Sequence, residues 1–168
     1  MLVYHLSAHL VIELVHPIAS VCNIGAYSME VTMISSNQAF DQFVSEHRWA
    51  VLTALRSGGS PVSSVVAYAC EDDSLVISTP GGTFKRRLLE ADSRCNLCVI
   101  SNSEPFNFVA IEGKASIETQ NIKASTIAVF ENIADTGYEM PGDLDGWLTE
   151  QKRVILRVAV ERVHGVIR

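Results

Sequence analysis

The chain has 168 residues, 48% of them hydrophobic and 19% charged, and a net charge of −6. That length suits one domain with a real core. The acidic balance argues against nucleic acid as a partner, because neutralising phosphates needs a basic surface.

The first 35 residues fit no targeting class. No Lys or Arg precedes Arg48, whereas a secretory signal needs a basic start and a transit peptide is Arg-rich. The apolar run Leu10 to Val15 is broken by Glu13 and closed by His16-Pro17, far short of a membrane span. His5, His9 and His16 have no carboxylate or cysteine cluster to join as ligands. Residues 1–35 read as an extension outside the fold, either disordered or preceding a true start at Met29 or Met33. Residues 36–168 read as the folded domain.

Ser36 is a candidate cap for a helix bearing Phe40, Phe43 and Val44 on one face. Arg48 to Arg56 reads as a strand, Ser57-Gly58-Gly59-Ser60 as a hairpin turn and Pro61 to Cys70 as the returning strand. Residues 71–74 turn into a third strand, Leu75 to Thr79, which predicts an antiparallel meander. Pro80-Gly81-Gly82 stops that strand, and Thr83 can cap a helix running to about Ala91. On it Phe84 and Leu88 share a face, and Arg86 and Glu90 can pair at i,i+4. Lys85, Arg86, Arg87 and nearby Arg94 form the densest basic cluster in the chain. Cations beside free helix N-terminal amides make an anion site, with phosphate the best-matched ligand.

Arg94 to Ser101 reads as a fourth strand and Phe106 to Glu118 as a long fifth, with Gly113 marking a bulge or a close backbone approach. Ile122, Thr126, Val129, Phe130 and Ile133 fall on one helix face. Residues 135–146, rich in Gly and Pro, read as loop. A last strand starts near Lys152, with Val154, Leu156, Val158 and Val160 on one side and Arg153, Arg157 and Glu161 on the other. Six strands with few helices cannot be covered as an open sheet. They predict a mainly β (α+β) fold, an antiparallel barrel with a few packed helices.

Cys22, Cys70, Cys95 and Cys98 show no disulfide framework. Cys95-x-x-Cys98 is a metal half-site without a second half, and in a strand the two side chains point to opposite faces. The cysteines therefore read as reduced core residues of a cytoplasmic protein. Trp147 reads as a packed aromatic, and His47 and His164 as structural. Tyr68 fits a ligand-facing or a core position equally.

The segments WAVLTALRSGGSPVSSVVAY, VISTPGGTFKRRLLEADSRCNLCVIS, VAIEGKASI and VILRVAVERVHG, in that order and spacing, resemble the split β-barrel superfamily of flavin- and deazaflavin-binding proteins. It includes pyridoxamine 5′-phosphate oxidase, and the chain is most similar to the branch using the deazaflavin coenzyme F-420. The resemblance covers about 130 residues, roughly Asn37 to Arg168. It implies a homodimer with cofactor sites at the interface, a cofactor phosphate held by Thr79, Thr83, Lys85 and Arg87, with Ser78 and Arg86 also in the cofactor site, and a ring lying along Ser64, Val65 and Val66. The cofactor implied is F-420, with FMN as the alternative. F-420's glutamate tail would suit Arg86, Arg87 and Arg94. The activity implied is hydride transfer to a conjugated organic acceptor such as a tetrapyrrole, biliverdin included. The alternatives are an FMN-dependent oxidase or flavin reductase, and a non-catalytic cofactor or tetrapyrrole binder. No catalytic side chain is implied, because the ring carries the chemistry. No metal, nucleic acid or membrane is expected. The chain departs from the oxidase in lacking basic residues on Ser63 to Tyr68 and any match to its C-terminal extension. It also has Leu88 where relatives often carry Asn.

Overall fold

A computed structural model describes residues 33–168. The expectation for residues 1–35, with Cys22, His5, His9 and His16, lies almost wholly outside the described residues. Eleven elements follow in order: α1 (Gln38–Glu46), β1 (Trp49–Leu55), β2 (Pro61–Ala67), β3 (Ala69–Glu71), β4 (Ser74–Pro80), α2 (Phe84–Ala91), β5 (Arg94–Ile100), β6 (Phe108–Glu118), α3 (Lys123–Asn132), α4 (Leu144–Glu150) and β7 (Arg153–Val166).

The strands form one antiparallel sheet in the order β2-β1-β5-β6-β7-β4-β3. It has seven strands among the described residues, not six, because the run 61–70 breaks at Tyr68. Before the break β2 pairs with β1, Val51 facing Val65; after it β3 pairs with β4, Cys70 facing Leu75. The expected three-strand meander is corrected accordingly: β4 pairs with β7 rather than returning along β2. One stretch of chain thus lies on both edges of the sheet, which curls the sheet into a split barrel. Apolar alternation continues through the break, so the pattern alone could not reveal the change of partner.

Inside the barrel, Leu52, Leu75, Ile77, Leu97, Val99, Ile111, Leu156 and Val158 are fully or almost fully buried. Helix α1 closes this core with Phe43 and Val44, and α2 adds Leu89. A second cluster on the outer face of β4 and β7 packs Val76 and Ile155 beneath Ile122 and Val129 of the α3 segment. The Arg157 guanidinium ties this layer together, at 2.6 Å from Glu118 and 2.9 Å from Glu71.

Local signals explain the element ends. Asn37, not Ser36, caps α1, its side chain accepting from the Ala39 amide at 3.0 Å. Helix α4 falls partly within the stretch read as loop, where Gly142 precedes it and Gly146 lies in its first turn. Its cap is Asp143, which accepts from the Gly146 amide at 2.9 Å. Gly113 marks both a bulge and a close approach. The β6–β7 register shifts between Glu112 and Gly113, leaving Glu161 as the extra residue of β7, and a Cβ at Gly113 would overlap the Ala159 carbonyl oxygen. Among the described residues no helix is long and apolar enough to cross a membrane.

Candidate functional site

The β4-to-α2 connection builds the site. Strand alternation turns Thr79 inward, 3% exposed, and Pro80-Gly81-Gly82 then reverses the chain. Gly81 is required by space: a Cβ there would lie 2.6 Å from the Lys152 carbonyl oxygen. Thr83 is the N-cap residue of α2, but its hydroxyl makes no capping bond and lies 3.4 Å from the Thr79 hydroxyl. The first intrahelical amide bond is donated by Arg87 to the Thr83 carbonyl. The amides of Phe84, Lys85 and Arg86 are thus those of a helix start, without acceptors in the preceding turn.

A cleft of about 330 Å³ opens beside this helix start. Leu52 and Ala54 of β1, Val62 of β2 and Leu88 of α2 form its apolar wall, with Ser63 and Ser64 along β2 and Thr83 and Lys85 at the anion end. Phe84 stands at the rim, 41% exposed, with the Arg56 and Arg87 guanidinium carbons 5.1 and 5.8 Å from its ring centre. An apolar wall ending in a cluster of donors suits a ring compound bearing an anionic group.

The expected residues divide. Ser64, Thr83 and Lys85 line the cleft, and Thr79 backs it. Val66 lies on the same face of β2 as Ser64 but is only 6% exposed, within the core. Val65 points to the opposite face and is 69% exposed, so a single subunit does not bring it to the cleft. Ser78 also alternates away: its hydroxyl receives Arg153 at 3.0 Å and lies 3.2 Å from the Thr126 hydroxyl on the outer side of β4. Arg86 pairs with Glu90 at 2.8 Å, as the i,i+4 spacing predicts, and Arg94 pairs with Asp92 at 2.6 Å. Both are thereby partly neutralised, which weakens the expectation that Arg86, Arg87 and Arg94 together hold an acidic tail. The Asp92 carboxyl is held down to about 2 by the Arg94 hydrogen bonds.

Two features escaped the sequence reading. Nothing in the sequence marks the cleft's apolar wall as one surface: Leu52, Ala54 and Val62 read as strand residues and Leu88 as part of a helix face. Arg153 was placed as an ordinary outward residue of the last strand, yet its guanidinium carbon lies 4.4 Å from the Trp147 ring centre. The fit to an oxyanion rests on unmatched positive charge. Burial first, and the neighbouring Arg153 second, lower the Lys85 pKa. Burial lowers that of Arg153 to about 10. The Nε atoms of Arg86 and Arg153 are buried without acceptors among the described residues. Desolvated cations with spare donors gain from an anionic partner.

Cysteines and histidines have structural surroundings. The Cys95 thiol points toward the Gly113 carbonyl at 3.6 Å and packs on the core, while Cys98 lies on the other face of β5. Burial pushes the Cys95 thiol up to about 12 and Cys70 up to about 11. An acid whose pKa is raised on folding stays protonated in the native state while its unfolded form ionises, so stability falls with rising pH above about 9. Compared with a Cys95→Ala variant, the wild-type chain should lose on the order of 1 kcal/mol more stability between pH 8 and pH 10, read from urea melts. Identical slopes would refute this. His47 stacks on Phe43 at 3.9 Å and bonds its carbonyl oxygen at 2.7 Å. No cluster of three metal-ligating side chains occurs among the described residues.

The fold recurs in solved structures. A conserved hypothetical protein from Mycobacterium tuberculosis matches at 20% identity and a TM-score of 0.64, over 81% of this chain and 86% of its own. A protein described as an F420 reductase matches at 17% identity and a TM-score of 0.63, over 76% and 98%. A FAD-binding protein from Mesorhizobium loti matches at 18% identity and a TM-score of 0.61, over 78% and 94%. At these identities the likeness is one of fold. No curated protein matches the chain. The family described as pyridoxamine 5′-phosphate oxidase matches residues 36–167, the whole barrel with every residue that lines the cleft, and the chain belongs to that split-barrel family.

Proposed function

We propose that the protein is an oxidoreductase that binds coenzyme F-420 and delivers a hydride from it to a conjugated organic acceptor, tetrapyrroles among the candidates. The observation that carries this reading is the Lys85 ammonium, without a carboxylate partner among the described residues, seated at the end of an apolar cleft beside the α2 start. The phosphate would be held by Thr79, Thr83, Lys85 and the free amides of α2, with Arg87 at the rim. Leu52, Ala54, Val62 and Leu88 would exclude water from one side of the ring. When bound, the reduced coenzyme supplies a hydride, two electrons with one proton's mass, and a proton from water completes the reduction. The protein's part is orientation and desolvation, and no side-chain acid is needed. The absence of Lys and Arg from β2 leaves that strand without a cation to grip a flavin phosphate, which counts against pyridoxamine phosphate oxidation itself, while the pocket at Lys85 would serve the phosphate of F-420 or of FMN.

Fluorescence titration of the purified protein tests the cofactor. F-420 should bind at micromolar concentration or below, and reduced F-420 should be oxidised in the presence of a conjugated acceptor. A yellow protein with a bound flavin spectrum would replace this reading with the FMN one. Binding without turnover across an acceptor panel would leave a cofactor carrier.

The reading includes a homodimer. It is supported by the outer face of β2, β1 and β5, where Val65 and Ile100 are 69% and 45% exposed and Val51 and Cys98 are half-buried. A second copy seated there would bury that face and bring its residues toward the cleft. Sedimentation should report twice the 18.4 kDa chain mass, and a monomer at micromolar concentration would refute the dimer.

A further inference from the structure

A second cleft, of about 520 Å³, lies beyond the Pro80–Thr83 turn, between the segment leading into α3, α4 and the start of β7. Lys123, Lys152 and Arg153 line it, with Thr119, Asn121 and Thr149 as neutral donors. Its one carboxylate, Asp145, is engaged by Lys123 at 2.7 Å. The turn itself separates this cleft from Lys85. Arg153 sits opposite Pro80 in the β4–β7 register, and the Gly81 amide donates to the Lys152 carbonyl at 2.9 Å.

Arg153 is held as a built anion receptor would be. Its guanidinium lies over Trp147 and donates to the Ser78 hydroxyl at 3.0 Å, while Nε is buried with no acceptor. Neither Arg153 nor Lys152 forms an ion pair with a described carboxylate, although the chain is acidic overall. The nearest acids along the sheet, Glu71 and Glu118, are taken by Arg157, two outward positions further along β7. Stacking on Trp147 alone would explain a packed arginine. It does not explain a cation adjoining Lys85 with three cations around one occupied carboxylate.

We infer that this cleft holds the acidic tail of the bound coenzyme: with the phosphate at Lys85, a chain of carboxylates passes the Gly81 turn onto Arg153 and ends among Lys152 and Lys123. This rests on the deazaflavin reading and moves the tail from Arg86 and Arg94, both paired, to a cleft where Arg153 and Lys152 have no ion pair among the described residues and Lys123 is shared with Asp145. The geometry assigns Arg153, absent from the sequence-derived site, as the residue joining the phosphate and tail subsites.

The test compares F-420 bearing several glutamates with the same coenzyme bearing none, by fluorescence titration at low salt. The tailed form should bind about tenfold more tightly, as two or three screened ion pairs would give, and added salt should shrink the difference. Lys152→Gln and Arg153→Gln should each remove much of that difference. Each variant's melting curve is recorded, so that loss of fold is recognised. Equal affinity of the two forms in the wild-type protein, or a preference that survives both substitutions, would overturn the tail site while leaving the cofactor reading in place. Failure of both forms to bind would overturn the cofactor reading and the tail site with it.

Discussion

Lys85→Ala should weaken binding of the phosphate-bearing cofactor about 10- to 100-fold, since a hydrogen bond to a charged group contributes about 1.5–3 kcal/mol. The same substitution should leave the ligand-free melting temperature unchanged or slightly higher. Lys85 is desolvated, repelled by Arg153 and without a carboxylate partner among the described residues. In the absence of ligand it costs stability rather than adding to it, a signature of a residue kept for binding. A second consequence concerns pH. The ligand needs the ammonium form, and the Lys85 pKa is lowered from 10.5. Affinity should therefore start to fall with rising pH below the range of an ordinary lysine, and Lys85→Arg should shift that fall to higher pH. Arg86→Ala provides the contrast. Its partly exposed pair with Glu90 is worth little, and the expected affinity loss is smaller. Fluorescence titrations from pH 7 to pH 10, paired with thermal melts, measure both quantities. An alanine variant at position 85 that melts earlier and binds as well as wild type would mark Lys85 as structural.

The barrel and the helix start at one end of the cleft were legible in the sequence because both follow from local rules. Alternation wrote the strands, Pro80-Gly81-Gly82 wrote the turn, and Thr83 with the following basic run wrote the helix start. Gly113 announced a bulge because only a residue without a Cβ tolerates the Ala159 carbonyl so near. What escaped was non-local. Tyr68 changes the strand's partner from β1 to β4 without breaking the hydrophobic pattern, so six strands were expected where the described residues hold seven. Val65 and Ser78 were grouped with their neighbours by motif, yet alternation sends each to the opposite face from Ser64 and Thr79. Val65 can approach a cofactor only if a second subunit folds over that face. Arg153 is 68 residues from Lys85 in sequence, and only the β4–β7 register places it beside the turn. Charge balance was legible only in part: the i,i+4 spacing gives the Arg86–Glu90 pair, but nothing in the sequence pairs Arg94 with Asp92. Arg86, Arg87 and Arg94 look alike in a basic cluster, and the structure separates them by whether a carboxylate lies within reach.

Tyr68→Ala should be among the most destabilising single substitutions in the domain, by about 3–5 kcal/mol, lowering the melting temperature by on the order of 10–20 °C. Tyr68 heads the largest fully buried side chains and sits where the chain leaves β2 for β3. Its hydroxyl donates to the Val44 carbonyl at 2.6 Å, and its own carbonyl receives the Asn132 amide at 2.7 Å. One residue thus fastens the closure of the barrel to the helix that plugs it and to the end of α3. Burial raises the phenol pKa far above its ordinary value, so the ring stays neutral and its bond to Val44 persists through the whole range in which the protein is folded. Tyr68→Phe keeps the volume and strands one buried carbonyl, which should cost only about 1–3 kcal/mol. The difference between the two variants divides the effect into packing and hydrogen bonding. Chemical denaturation with both variants measures it. If alanine costs no more than phenylalanine, the barrel closure does not depend on this side chain, and the strand break at position 68 is set by β4 and α3 alone.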